Sequence, residues 1–196
     1  VPFRMSGVRL RGLPSLPWVS SFPELNVRTY VTIDTPRDRR PGVHFFSLEA
    51  GNPLAVTVAR RLYKLPYYRA EMQLDDRGNT IDYSSHRTHG RAPPADFVGT
   101  YGPTDGIYRA AQGSLEHWLT ERYCLYVVDR RNRAFRGEIH HLPWPLQEAN
   151  AEIQVNTMAA AAGIQLPDTQ PLLHFTRRLD VLAKLRLKPT RSVSTR

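Results

Sequence analysis

Polar and apolar residues alternate along much of this chain, and the alternation first becomes regular after Phe22. In FPELNVRTYVTI, the polar residues Glu24, Asn26 and Arg28 share one face with Tyr30, because successive side chains of a strand point to opposite faces. This pattern predicts a strand over residues 23–33. Further strands of the same sheet are predicted over residues 43–49, 69–75 and 172–185, the last as one long final strand.

A helix is predicted over residues 53–64, between the second and third of these strands. Asn52 is a typical N-cap, and Pro53 suits the first helical position because its missing N–H would have no partner there. Pro66 ends the helix, because the residue before a proline is driven towards extended geometry. Two shorter helices are predicted in LEHWLTERY after the capping Ser114, and in NTMAAAAG after the capping Asn156 with Gly163 just past its end.

The connections between the strands indicate the fold class. YYRAEMQLDD and TIDYSSHR flank the turn RGN and predict a hairpin. Many strands, few short helices and hairpin connections favour a mainly β (α+β) fold. We expect a single antiparallel, closed or strongly curled β-barrel with a few short helices. Residues 1–187 are predicted to form this domain, and the basic tail 188–196 is predicted to be disordered.

Composition indicates an ordinary globular protein of 196 residues, with 41% hydrophobic and 23% charged residues. No apolar run reaches the roughly 20 residues that a membrane-spanning helix needs, and no signal-like segment opens the chain. The single cysteine, Cys124, lies in the apolar stretch YCLYVV and is expected to be a buried, inert thiol. These features predict a cytoplasmic protein without a membrane partner.

The formal net charge of +9 raises nucleic acid as a partner. Only Lys64, Lys184 and Lys188 are lysines among the 27 basic residues, and the arginines are scattered rather than grouped. Aromatic residues are not interleaved with the basic runs, as a stacking platform for bases would require. Nucleic acid is therefore disfavoured, although a basic interaction module stays open as an alternative.

Motifs for metal or cofactor chemistry are missing from the sequence. His140 and His141 are adjacent and would point to opposite faces of a strand, and no spacing resembles HExxH or a facial triad. Neither GxSxG, GxGxxG nor a P-loop occurs. We therefore expect no metal and no cofactor. Polar residues alternate with apolar ones in two predicted strands: Glu24, Asn26 and Arg28 in one, and Arg136, Glu138 and His140 in the other. This alternation suits either a solvated outer face or the lining of a barrel cavity.

Six ordered motifs resemble the uncharacterised YqjF-like bacterial family over nearly the whole chain, from VPFRM to about Leu185. They are FPELNVRTYV, PGVHFFSLEAGNPLAVTVARRLYKLPYY, SLEHWLTERYCLY, GEIHHLPWPL, NTMAAAAGIQLP and LLHFTRRLDVL. Members of that family usually carry a further N-terminal strand and helix, so the resemblance implies that this chain begins beyond that segment.

The same stretches are more distantly similar to acetoacetate decarboxylase, a cone-like β-barrel with an enclosed cavity. That enzyme forms a Schiff base on a lysine whose pKa is lowered by burial and by a second lysine beside it. The resemblance places this pair at Tyr67 and Tyr68, which cannot form an imine with a ketone. Glu24 matches a glutamate of the decarboxylase site, and Arg28 could replace an arginine that holds the substrate carboxylate. Lys64, on the last helical turn, is expected to be structural.

These resemblances imply that the protein binds a small organic carbonyl or carboxylate molecule in an interior cavity. Acid–base chemistry of a lyase or isomerase type, without an imine, is the expected reaction if the protein is an enzyme. The alternatives are a non-catalytic ligand carrier or the basic module, and a homo-oligomer stays open. The predicted catalytic residues are Glu24, Tyr67 and Tyr68, and the predicted ligand-binding residues are Asn26, Arg28, Glu138 and His140.

Overall fold

The computed structural model describes residues 1–7, 21–35, 38–129 and 131–189, and its architecture is mainly β with three short helices among these residues. The predicted fold class is therefore confirmed at this level. The helices are α1 (Pro53–Tyr63), α2 (Leu115–Thr120) and α3 (Met158–Ala161). The strands are β1 (Pro2–Met5), β2 (Phe22–Thr35), β3 (Asp38–Ala50), β4 (Tyr67–Asp76), β5 (Ile81–Arg87), β6 (Asp96–Pro103), β7 (Cys124–Val128), β8 (Ala134–His141), β9 (Gln147–Asn156), β10 (His174–Phe175) and β11 (Val181–Pro189).

All eleven strands belong to one sheet, which branches at β3. One edge of β3 pairs with β2 along its length, and β2 also pairs with β1. The other edge pairs with β7 at Val43 and His44 and with β4 at residues 48–50. One branch continues in the order β4, β5, β6, β9, β10, and the other in the order β7, β8, β11.

The prediction of a purely antiparallel sheet is wrong, because β3 pairs in parallel with both β4 and β7. Helix α1 supplies the reason for the pairing of β3 with β4. It lies between β3 and β4 in the chain, and a crossover of this kind returns the next strand in the same direction. The sheet is also not closed by hydrogen bonds: in the part of the chain that the structure describes, β10 and β11 end the two branches without pairing with each other.

The predicted single strand over residues 172–185 is wrong, since two strands form there on different branches. β10 pairs with β9, whereas β11 pairs with β8. In the connection, Arg177 binds the Asp76 carboxylate and the Gly78 carbonyl of the β4–β5 turn. Five intervening residues span at most about 20 Å. The end of β10 and the start of β11 therefore lie within about this distance of each other.

The predicted helix α1 is confirmed from Pro53, and it ends at Tyr63, one residue before the predicted end. The Asn52 side chain accepts hydrogen bonds from the backbone N–H groups of Leu54 and Ala55, and the helix ends where Lys64 adopts φ 57°, two residues before Pro66. The Ser114 cap of α2 is also confirmed. The N-cap of α3 was wrongly placed at Asn156: that residue ends β9, and Thr157 occupies the cap position.

Two groups of buried side chains form the interior. The larger one consists of Leu25, Tyr83, Ala95, Phe97 and Met158. The smaller one, made by Phe22, Ala50 and Val56 with Tyr67 packed against them, attaches α1 to the sheet. Cys124 is buried, as predicted.

Strand β11 continues to Pro189, and residues 190–196 of the predicted tail lie outside the described residues. Within the described ranges, no helix has the length and apolar character needed to cross a membrane.

Candidate functional site

Tyr67 and Tyr68 open strand β4 directly after Pro66 and point to opposite faces of the sheet. In the parallel pairing with β3, Tyr67 lies opposite Leu48 and Tyr68 lies opposite Glu49. Because facing residues of neighbouring strands share a face and successive residues alternate, each tyrosine has its own surroundings. Tyr67 packs against Val56 of α1, and Tyr68 lies opposite the buried Glu49.

Tyr67 forms a buried pair with Glu24, which is 43 positions earlier in the chain. Its hydroxyl donates a hydrogen bond of 2.8 Å to Glu24 Oε2, and Glu24 is only 3% exposed. The Tyr83 hydroxyl donates a second hydrogen bond of 2.8 Å to the Glu24 backbone carbonyl. Strand β2 is thus held at this position from two sides. The structure brings together two of the three predicted catalytic residues, and their role in binding or catalysis stays a prediction.

Burial decides the protonation of this pair. Burial raises the pKa of Glu24 to about 7, the Tyr67 hydrogen bond lowers that pKa, and the nearby Glu49 charge raises it. Burial, followed by the Glu24 charge and hydrogen bond, raises the pKa of Tyr67 well above 10. Tyr67 therefore keeps its proton as a donor, whereas Glu24 titrates near neutral pH. A carboxyl with such a pKa is suited to take up and release a proton.

A second polar group on the opposite face was not predicted from the sequence. Glu49 is fully buried and accepts hydrogen bonds from Arg87 Nε at 3.0 Å, from Arg87 Nη2, and from the Ser47 hydroxyl at 3.2 Å. The Arg87 guanidinium carbon lies 4.2 Å from the centre of the Tyr68 ring. Burial raises the pKa of Glu49, while Arg87 and Ser47 lower it. The available signal was an acidic residue inside the largely apolar strand VHFFSLEA.

The predicted ligand-binding residues Asn26 and Arg28 follow Glu24 on the same face of β2. Asn26 is 5% exposed, and its Oδ1 is buried without a hydrogen-bond donor among the described residues. The Nε atom of Arg28 is likewise buried and has no acceptor there. Buried polar atoms are nearly always hydrogen-bonded to protein, water or a ligand. Two such atoms on the face of β2 that carries Glu24 could therefore bind a small molecule.

The other two predicted ligand-binding residues lie in a different part of the sheet. Glu138 forms ion pairs with Arg40 and Arg136 on the β7 branch, and His140 is exposed with its ring 6.3 Å from that of Tyr123. Strand β7 pairs with β3 at Val43 and His44, whereas Glu24 pairs with β3 at Ala50, six or seven positions further along that strand. This separation corresponds to roughly 20 Å along the strand. The structure does not bring Glu138 and His140 to the pair.

Lys64 has a structural environment. As the residue that ends α1, it places its Nζ atom 3.4 Å from Asp129 Oδ2 and 3.8 Å from the centre of the Phe135 ring. Asp129 also binds Arg133. The amine is therefore held as a cation at the C-terminal end of the helix.

A groove of about 390 Å³ lies along α1 and reaches the strand that carries the tyrosines. We call it the arginine groove; its walls are Pro53, Val56, Thr57, Arg60, Arg61, Arg69 and His89. Val56 also packs in the small core with Tyr67, and Arg60 Nη1 donates a hydrogen bond to the Tyr67 carbonyl. The groove and the Glu24–Tyr67 pair are thus neighbours. Within the described ranges, no three His, Cys, Asp or Glu side chains are grouped so that they could hold a metal ion.

Comparisons with known proteins show what this chain is similar to. The profile of the DUF2071 family, described as "Uncharacterized conserved protein", matches residues 1–180. The "Uncharacterized protein YqjF" of Bacillus subtilis (strain 168) is 46% identical over 182 residues, which cover 93% of this chain and 72% of that protein. A crystal structure of acetoacetate decarboxylase from Legionella pneumophila aligns with a TM-score of 0.49 and 12% identity, covering 89% of this chain and 74% of that one.

Proposed function

We propose that this chain, which belongs to the DUF2071 family, binds a small organic carbonyl or carboxylate compound at the Glu24–Tyr67 pair and moves a proton there. The observation that carries the proposal is the hydrogen bond between a buried tyrosine and a buried carboxyl that titrates near neutral pH. A carboxylate whose ionised form stabilised the fold would have a pKa below its ordinary value. A raised pKa instead costs stability and suits proton transfer.

The chemistry follows from the two protonation states. Tyr67 presents a neutral O–H group that can donate to a carbonyl oxygen of the ligand, while Glu24 removes or returns a proton at the adjacent carbon. The electron pair of the broken C–H bond would move onto the carbonyl oxygen, which gives an enolate that the Tyr67 hydroxyl stabilises by its hydrogen bond, and return of the proton from Glu24 completes the transfer. The unsatisfied Asn26 Oδ1 and Arg28 Nε offer an acceptor and a donor for the rest of the ligand, Arg28 for a carboxylate.

Tyr67→Phe tests the binding part of this proposal. It removes the hydroxyl from the pair while retaining the ring that packs on Val56, so a bound compound should lose its donor and the fold should persist. We expect small molecules that are released from the purified wild-type protein and identified by mass spectrometry to be absent or strongly reduced in Tyr67→Phe. Tyr68→Phe is the matched control, because that ring lies on the opposite face and its contact with Arg87 does not need the hydroxyl. Equal release from both variants would contradict the proposal.

We expect no imine intermediate at this site, and reductive trapping tests that expectation. Tyrosine cannot condense with a ketone, and the amine of Lys64 is engaged by Asp129 and Phe135. We expect no covalent adduct after incubation with acetoacetate and borohydride, measured by intact mass and peptide mapping. Lys64→Arg is the control variant, and an adduct that maps to Lys64 and disappears in this variant would overturn the imine-free mechanism.

A further inference from the structure

The arginine groove carries a positive charge that the protein itself does not neutralise. Arg60, Arg61 and Arg69 converge on it from α1 and from β4, and among the described residues no carboxylate belongs to its walls. In the part of the chain that the structure describes, the guanidinium groups of Arg61 and Arg69 make no hydrogen bond or ion pair. Three like charges around one space repel one another, so an anion between them would lower the free energy.

His89 adds a neutral donor to the same walls. Its Nδ1 atom accepts a hydrogen bond of 3.2 Å from the Arg69 backbone N–H, so the proton of the neutral ring is on Nε2. Burial lowers the pKa of His89, and the charges of Arg60, Arg69 and Arg87 lower it further. This direction is what an uncompensated positive potential produces.

We propose that the arginine groove is a binding site for a phosphorylated small molecule, separate from the Glu24–Tyr67 pair. Guanidinium groups bind phosphate oxygens through paired N–H donors, and three of them match the charge of a diphosphate better than that of a single carboxylate. The volume of about 390 Å³ lies in the range of small-ligand sites. Pro53 and Val56 offer an apolar surface for the organic part of the ligand.

Inorganic pyrophosphate is the probe that tests this site, in calorimetric titrations of the full chain at physiological ionic strength. We expect saturable binding of one pyrophosphate by the wild-type protein. Arg61→Gln and Arg69→Gln should each weaken it about tenfold, the loss expected for one charge-assisted hydrogen bond. Arg60 is left unchanged because it also binds the Tyr67 carbonyl.

Two controls separate this site from general charge effects and from the pair. Arg178→Gln removes the same charge at an exposed position paired with Asp180, and it should change the affinity by less than about twofold. Tyr67→Phe should also retain pyrophosphate binding, which makes failure of this site distinguishable from failure of the proposed function.

Three results would overturn the proposal. The first is the lack of saturable binding by the wild-type protein. The second is a loss of pyrophosphate affinity in Arg178→Gln or in Tyr67→Phe that is as large as the loss in Arg61→Gln and Arg69→Gln. The third is that a short single-stranded DNA binds more tightly than pyrophosphate and loses affinity in Arg61→Gln and Arg69→Gln. That result would assign the groove to a nucleic-acid backbone instead.

Discussion

Arg87→Met is expected to lower the free energy of unfolding by about 3–5 kcal/mol, the largest effect of any single substitution considered for this protein. The Arg87 side chain is 2% exposed and Glu49 is 0% exposed, so the variant would leave a carboxyl buried without its counter-ion. Glu49 already has a raised pKa because of burial, and it would lose the two interactions with Arg87 that lower that pKa. Methionine retains most of the aliphatic volume, so the loss reports the charge rather than a cavity.

Chemical denaturation of the variant, compared with two further variants, measures this effect. Glu49→Gln combined with Arg87→Met should recover at least half of the loss, because the uncompensated charge is then gone. Arg178→Met is the matched surface control: its ion pair with Asp180 is exposed, and it should change stability by less than about 1 kcal/mol. If Arg87→Met costs no more than Arg178→Met, the buried ion pair does not hold the two strands together.

The local elements of this fold could be predicted because their signals are contained in a few neighbouring residues. Asn52 and Pro53 begin α1, Pro66 prevents its continuation, and the β4–β5 hairpin turns where Gly78 adopts φ 89°. Each of these features depends on backbone chemistry that acts over four or five positions. The prediction failed at Asn156, where a strand and a helix compete for the same residue.

The sheet topology needed information that short patterns do not contain. Period-two alternation over residues 172–185 is the same whether the chain forms one strand or crosses between two branches. The crossing is fixed by a distant contact, that of Arg177 with the β4–β5 turn. The parallel pairing of β3 with β4 was within reach, since a helix between two strands favours it.

The candidate site was predictable in part. Glu24 and Tyr67 were selected by resemblance to a known site, and the structure places them in contact. The Glu49–Arg87 pair was missed because β3 and β5 do not pair with each other, so no register between them could be read from alternation. His140 lies in a strand with the same polar alternation as the strand of Glu24, but that strand belongs to another branch of the sheet. Alternation predicts which face of the sheet a residue lies on, and it does not predict which strands are adjacent.

Glu24→Gln is expected to remove about 3 kcal/mol of pH dependence from the stability of the protein between pH 4.5 and pH 8. The pKa of Glu24 is about 7 in the folded state against 4.5 as the ordinary value, and each unit corresponds to about 1.36 kcal/mol. Because the folded pKa is the higher one, the folded state binds the proton more tightly. The stabilisation that proton binding by Glu24 gives the folded state is complete below pH 4.5 and is lost as the pH rises through about 7.

Urea unfolding of the variant and the wild-type protein across this pH range provides the measurement. The difference in the free energy of unfolding should shift in favour of the variant by about 3 kcal/mol from pH 4.5 to pH 8. The free energy of unfolding should still depend on pH in both proteins, because burial also raises the pKa of Glu49. Glu71→Gln makes the same change at an exposed position of β4 and should leave the wild-type slope intact. A constant difference between Glu24→Gln and wild type would show that Glu24 is an ordinary carboxylate, which would be almost fully ionised at neutral pH and could not hold a proton to return to the ligand, contrary to the proposed function.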